Sequence, residues 1–354
     1  MTIDAENMSS LAIRLRDSRT FPWRHDPVSE PFADWATQTR GRIHTALTLG
    51  PDASPTGDIV AEWRDGDLSG QHLRLGFSNG ETSQAYLLRP GDGTKNPSPA
   101  ILLLHDHGSF FSIGKEKLIR RPNETPDLTA DIDHWTARIY GGRHVGNALA
   151  SRGYTVLSVD ALGWGSRRGN GYGDQQALAA NLMQFGTSLA GVVLQEDLEA
   201  LNYLASLDGI DKNRIAVLGY SMGGFRAFQL AALSDRAKAC VSGGWMGTLS
   251  GLMQSGNNQL RGQSAFYMLH PQIAGKLDYP DLAGLAAPKP ALFFAGAEDR
   301  HFPEPVVADA FRRLTSLWTE AGARDRLETR LFPGGHSFPR DRQDHAFDWL
   351  DRTL

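Results

Sequence analysis

From residue 100 onward the chain alternates short apolar runs with longer amphipathic stretches, and this alternation constrains the fold more than any other feature. AILLLH at 100–105 is apolar on both faces, as a strand covered on both sides in a parallel sheet must be. Further strand-like runs follow: YTVLSVD at 154–160, RIAVLGY at 214–220, AKACVSGG at 237–244, PALFFAGA at 290–297 and LETRLF at 327–332. Helical patterns lie between and after them. The longest covers 176–207, with Leu194, Leu198, Leu201 and Leu204 at three- and four-residue spacings; others are FRAFQLAAL at 225–233 and stretches at 304–320 and 341–352. Such alternation predicts an α/β fold, a mostly parallel central sheet flanked by helices with right-handed crossovers. Upstream, from Ile59, the period changes to two. IVAEWRDG, QHLRLGFSNG and TSQAYLLRP alternate apolar and polar residues between turn signals, which predicts antiparallel N-terminal strands with one wet face.

A chain of 354 residues suggests two or three domains at ~150 residues each. The sheet pattern nevertheless runs unbroken from Ile59, so the expected organisation is an N-terminal helical arm over 1–55 and one domain over 56–354. Insertions in that domain are expected at about 110–140 and 244–289. With 36 Lys and Arg against 40 Asp and Glu, the net charge of −4 argues against a polyanion-binding surface, and no nucleic-acid partner is expected. No apolar run approaches the ~20 residues of a membrane span, so no membrane partner is expected either. Cys240 is the only cysteine, which excludes an intrachain disulfide framework and fits a reducing compartment. The opening MTIDAENMSSLAIRLRDSRT has acidic and polar residues where a signal peptide needs an apolar segment, so the expected location is cytoplasmic. The sequence is compatible with a homo-oligomer.

Chemistry in such sheets sits outside the carboxyl ends of the strands. At the junction of RIAVLGY and FRAFQLAAL lies Gly219-Tyr220-Ser221-Met222-Gly223-Gly224, a G-x-S-x-G pattern between a strand end and a helix start. The two flanking small residues let neighbouring backbone pass close to a serine held in a tight turn, and the helix N-terminus points free N–H groups at it. The bland alternative is a glycine-rich turn with a serine N-cap. Ser188, in Gly186-Thr187-Ser188-Leu189-Ala190, has a similar pattern but falls inside the long helical stretch, so Ser221 is the candidate nucleophile.

A serine needs a base, and the base needs a group that fixes its tautomer. PALFFA runs into Gly296-Ala297-Glu298-Asp299, and LETRLF runs into Pro333-Gly334-Gly335-His336. Asp299 is the expected acid, with Glu298 its rival because neighbouring residues leave a strand in opposite directions. His336 is the expected base, with His301 the nearest rival among histidines otherwise read as surface or packing residues. Acyl transfer also needs donors aimed at the developing oxyanion. These are expected to be the backbone N–H of Met222 and that of Ser109, with Gly108 as the alternative, in the loop His105-Asp106-His107-Gly108-Ser109-Phe110. The His-Asp-His triplet lacks a downstream ligand set at metal-site spacing, so no metal and no cofactor are expected.

Together these stretches resemble the α/β-hydrolase superfamily, within it the dienelactone hydrolase and acetyl xylan esterase-like carboxylesterases. The resemblance runs from about Ile59 to the C-terminus. It rests on ILLLHDHG with GKEK at 114–117, VLSVDALGWGSR at 156–167, DKNRIAVLGYSMGG at 211–224, FFAGAEDRHFP at 293–303 and FPGGH at 332–336. It implies an α/β-hydrolase fold, with Ser221, Asp299 and His336 as nucleophile, acid and base. The loop His-Gly-Ser departs from the His-Gly-Gly-Gly of hormone-sensitive-lipase-type esterases. The serine departs from the cysteine of the dienelactone hydrolases proper. The expected activity is a serine carboxylic-ester hydrolase acting on a small-molecule ester through an acyl-enzyme. An amidase or peptidase with the same groups, and a non-enzymatic receptor on the same fold, are the alternatives. Phe110, Trp245, Met246 and Tyr267 are candidate pocket residues. Lys115, Lys117, Arg120 and Arg121 form a basic cluster that reads as a solvated face, with attraction of an acidic substrate as the other reading.

Overall fold

The computed structural model describes residues 8–47, 49–91 and 97–354. The first seven residues of the expected arm lie outside that set. The strands are β1 (Thr56–Asp65), β2 (Leu68–Gly76), β3 (Thr82–Arg89), β4 (Ser98–Leu104), β5 (Thr155–Val159), β6 (Ile210–Tyr220) and β7 (Ala239–Gly243). A two-residue hairpin, β8 (Met253–Gln254) with β9 (Asn257–Asn258), precedes β10 (Ala291–Gly296) and β11 (Leu327–Phe332). Among the described residues nine strands form one sheet in the order β1-β2-β3-β5-β4-β6-β7-β10-β11. β1, β2, β3 and β5 pair antiparallel in sequence, and from β5 to β11 every pairing is parallel. The chain leaves β4 for β5 on one side and returns to β6 on the other, so the strand order reverses at β4. A crevice outside the carboxyl end of such a strand is where an open α/β sheet binds ligands.

Side-chain alternation divides the core into two layers. Leu102 and Leu104 of β4 face one cluster with Val217, Phe225, Phe228 and Phe293, and Ile101 and Leu103 face the other with Val156, Leu218, Val241 and Phe294. The helices before the sheet are α1 (Ser10–Asp17) and α2 (Phe32–Ala46); α2 buries Trp35 and Ile43 in the first cluster, whereas α1 buries none of its residues. On the second face lie α3 (Pro126–Tyr140) and α4 (Val145–Ser151).

The helical pattern over 176–207 is two helices, not one: α5 (Tyr172–Gln184) and α6 (Leu189–Ser206). Gly186 takes φ +76° and Ser188 caps α6, its Oγ accepting the Gly191 N–H at 3.0 Å. Ser188 is therefore a helix cap rather than a mid-helix residue, because its short side chain competes for backbone amides as only a cap can. Then come α7 (Met222–Leu233), the short α8 (Leu249–Leu252) and α9 (Tyr279–Gly284), α10 (Glu304–Glu320) and α11 (Arg340–Thr353).

Candidate active site

β6 delivers Ser221 to the start of α7 with φ +56° and ψ −124°, a conformation rare for any residue with a side chain. The flanking glycines are required by space. A Cβ on Gly219 would collide with the Gly223 carbonyl oxygen, and one on Gly223 with that of Leu104. The backbone of Ser221 is tied down by Ser221 N–H to Gly243 O at 2.7 Å and Gly224 N–H to Ser221 O at 2.8 Å. Its side chain makes no helix cap, which removes the N-cap reading. Instead Oγ lies 2.9 Å from Nε2 of His336.

His336 sits beyond β11 with Nδ1 at 2.6 Å from Oδ2 of Asp299, which follows β10. Asp299 Oδ1 accepts the N–H groups of His301 at 2.8 Å and Phe302 at 3.3 Å. Burial opposes ionisation of this carboxyl, but the hydrogen bond and charge of His336 and the two amides outweigh it and hold it below the usual carboxylate range. Glu298 is exposed and does not reach His336. His301 lines the same cavity with its ring 5.0 Å from that of His336, but does not contact Ser221. Sequence reasoning did not find Arg342, which is buried under this turn. Its guanidinium donates to the carbonyls of Pro333, Gly335 and Ser337 at 2.5, 3.0 and 2.7 Å and so fixes the backbone that carries His336.

The loop after β4 is ordered from within. Gly108 takes φ +55°, and a Cβ there would collide with the Trp135 ring. Lys117, fully buried, donates Nζ to Asp106 O at 3.1 Å and His107 O at 2.8 Å and lies 3.6 Å from the Asp106 carboxylate. That carboxylate also accepts Trp135 Nε1 at 3.2 and 3.1 Å and the Tyr140 hydroxyl. His107 Nδ1 lies 2.9 Å from Gly108 O, and His105 uses both ring nitrogens, Nδ1 to Asp106 O and Nε2 accepting from Ala161 N–H. In a trans peptide the N–H points opposite the carbonyl. Holding His107 O and Gly108 O from behind therefore aims the Gly108 and Ser109 N–H groups away from these anchors. Among the described residues neither the Ser109 nor the Met222 N–H has a protein acceptor, and both residues line the cavity beside Ser221.

The reading of the basic cluster as a solvated face holds for Arg120, which is exposed, and is corrected for the two lysines. Lys115 is buried against Asp160 at 2.9 Å and Glu116, and Lys117 lies in the loop core; Arg121 pairs with Glu124 at 3.7 Å. A buried ammonium persists only when paired, and beside the adjacent Glu116 the pairing carboxylates, Asp160 and Asp106, come from segments that sequence spacing does not connect.

The cavity over Ser221 has a volume of about 480 Å³, and Trp135, Tyr172, Trp245, Leu252, Leu260 and Met268 supply its larger walls. Of the expected pocket residues, Trp245 lines it and three do not. Phe110 packs on His134 and Trp135 at 5.3 and 5.6 Å between ring centroids, Met246 is buried in the first core cluster, and Tyr267 is wedged 4.4 Å from the Trp164 ring. Met268, next to Tyr267 in the chain, faces the cavity in its place.

Three neutral histidines make the fold acid-sensitive. Burial holds His107 and His270 at about 4, and His105 well below its ordinary value. Between pH 6.5 and 4 the unfolded chain binds a proton at each and the folded chain does not, so stability is lost as pH falls through that window. About 3 kcal/mol each is expected by pH 4 for His107 and His270. Chemical denaturation at pH 7 and pH 5 should show a clear fall in midpoint; equal midpoints would contradict this reading.

Comparison with known proteins places the chain in a family and a fold. Residues 135–349 match the model of the dienelactone hydrolase family. YtaP of Bacillus subtilis (strain 168), provisionally assigned as a hydrolase, is 30% identical over 284 residues, 80% of this chain and 87% of that protein. A Bacteroides fragilis NCTC 9343 structure provisionally assigned as an acetyl xylan esterase superposes with a TM-score of 0.73 at 17% identity, over 92% of this chain and 82% of that one. A glucuronoyl esterase from Solibacter usitatus gives 0.63 at 12% identity, over 92% and 94%. At those identities the two structures speak to the α/β-hydrolase fold.

Proposed function

This chain belongs to the dienelactone hydrolase family, and on that footing we propose that it is a serine carboxylic-ester hydrolase working through an acyl-enzyme. The observation that carries the reading is the continuous line from Asp299 through His336 to Ser221, at 2.6 and 2.9 Å. With Nδ1–H donated to Asp299, Nε2 of His336 is an acceptor and takes the Ser221 proton as Oγ attacks the ester carbonyl. The tetrahedral oxyanion is stabilised by the amides of Met222 and Ser109. His336 returns its proton to the departing alkoxide, then takes one from water as that water attacks the acyl-enzyme. Acid and alcohol are the products, and Ser221 regains its proton.

Lys117 is a positioning residue in this scheme, since its two carbonyl contacts set the loop that carries Ser109. Lys117→Met should lower kcat about 10²-fold while KM stays within threefold, as expected for donors that act on the transition state. Because the change leaves Asp106 buried without its cation, circular dichroism accompanies the kinetics. An unchanged kcat in folded variant would remove Lys117 from the scheme.

Hydrolysis of p-nitrophenyl acetate tests the activity itself. Turnover that saturates with substrate is expected, and release no faster than buffer would contradict the reading.

A further inference from the structure

Beyond Leu260 and Met268 lies a second space of about 330 Å³, and these two side chains line both it and the cavity over Ser221. Its other walls include Leu249, Ile273, Leu277 and Leu282, with Ala12 and Leu15 contributed by α1. Of the polar groups at its edge, Arg16 Nη1 donates to Met253 O at 2.7 Å and Asp278 Oδ1 accepts the Leu249 and Tyr279 N–H groups at 2.8 Å each, whereas Arg19 is exposed and His270 keeps Nδ1 without a partner among the described residues. Most of what faces a ligand is hydrocarbon surface. The partition is thin: Met268 is only partly buried, and its thioether chain has three rotatable bonds, so it moves aside for the loss of one weak hydrogen bond, the Trp245 Nε1–H that its Sδ accepts.

We propose that this second chamber receives the unbranched hydrocarbon arm of the ester substrate, passing between Leu260 and Met268, so that α1 forms part of the substrate site. The proposal rests on the ester-hydrolase reading and adds a substrate class to it: esters whose acyl or alkoxy chain outgrows the first cavity. An unbranched chain fits because the passage is bounded by two side chains and most of the walls beyond them are hydrocarbon. Transferring one methylene to apolar surroundings is worth about fourfold in an equilibrium, so rates should climb with chain length until the chamber is full.

The test uses p-nitrophenyl esters from acetate to decanoate and, for the other side of the ester, acetates of straight-chain alcohols over the same lengths. Wild-type kcat/KM should rise by about fourfold per methylene over part of one series; the series that rises identifies which side of the ester occupies the chamber. Ala265 and Ala12 line the second chamber and not the first. Ala265→Phe and Ala12→Trp should leave acetate turnover within twofold and cut the longest esters by about 60-fold, the equivalent of three excluded methylenes. A wild-type profile that falls from the shortest ester onward in both series overturns the proposal, as does an unaltered profile in a folded filling variant. If acetate turnover is absent, or persists in Ser221→Ala, it is the ester-hydrolase reading that fails; acetate turnover that depends on Ser221 but ignores chain length defeats the chamber alone.

Discussion

Ser221→Ala should lower kcat/KM for p-nitrophenyl acetate by ~10⁴-fold or more while leaving the melting temperature within a few degrees. Both halves follow from the elbow. The strained backbone is held by main-chain bonds to Gly243 and from Gly224, which alanine keeps. The hydroxyl's contact is with His336 and not with the helix it precedes, so its loss removes the nucleophile and little else. Matched rates for variant and wild type, measured on protein purified in parallel, would mean that another group attacks the ester.

Asp299→Asn should cost about 10⁴-fold in kcat through the tautomer rather than the fold. An asparagine can still accept the His301 and Phe302 amides through its carbonyl oxygen, as Oδ1 of the aspartate does. Its amide nitrogen then faces Nδ1 of His336 where a carboxylate oxygen stood. The imidazole answers by moving its proton to Nε2, and a nitrogen that bears a proton cannot take one from Ser221. Stopped-flow acylation should slow with the steady-state rate, and an unchanged acylation rate would show that Asp299 does not set the tautomer.

The sheet was legible in the sequence because it is built from local signals. AILLLH reads as a doubly covered strand, and β4 places Leu102 and Leu104 in one core layer and Ile101 and Leu103 in the other. The setting of Ser221 was legible for the same reason, since Gly219 and Gly223 are needed within two residues of it. Failures came where meaning depends on distant segments. Lys115 and Lys117 look like a charged face until Asp160, Trp135 and Asp106 close over them. Arg342 looks like one more surface arginine at the start of α11, yet it carries the turn that presents His336. The pocket was misread because side-chain direction in an irregular segment follows no period: Met268 turns inward where the adjacent Tyr267 turns into the core. Leu252 and Leu260 reach the cavity through a hairpin that no alternation announces.

Acyl transfer through Ser221 is tested most directly by intact-mass and peptide mass spectrometry after reaction with a fluorophosphonate, which phosphonylates a serine, with loss of fluoride, only when a base activates it. One adduct per chain is expected, located on the peptide that carries Ser221, and none in Ser221→Ala. Folded wild-type protein that takes no label, or label that persists on another residue in the variant, would contradict it.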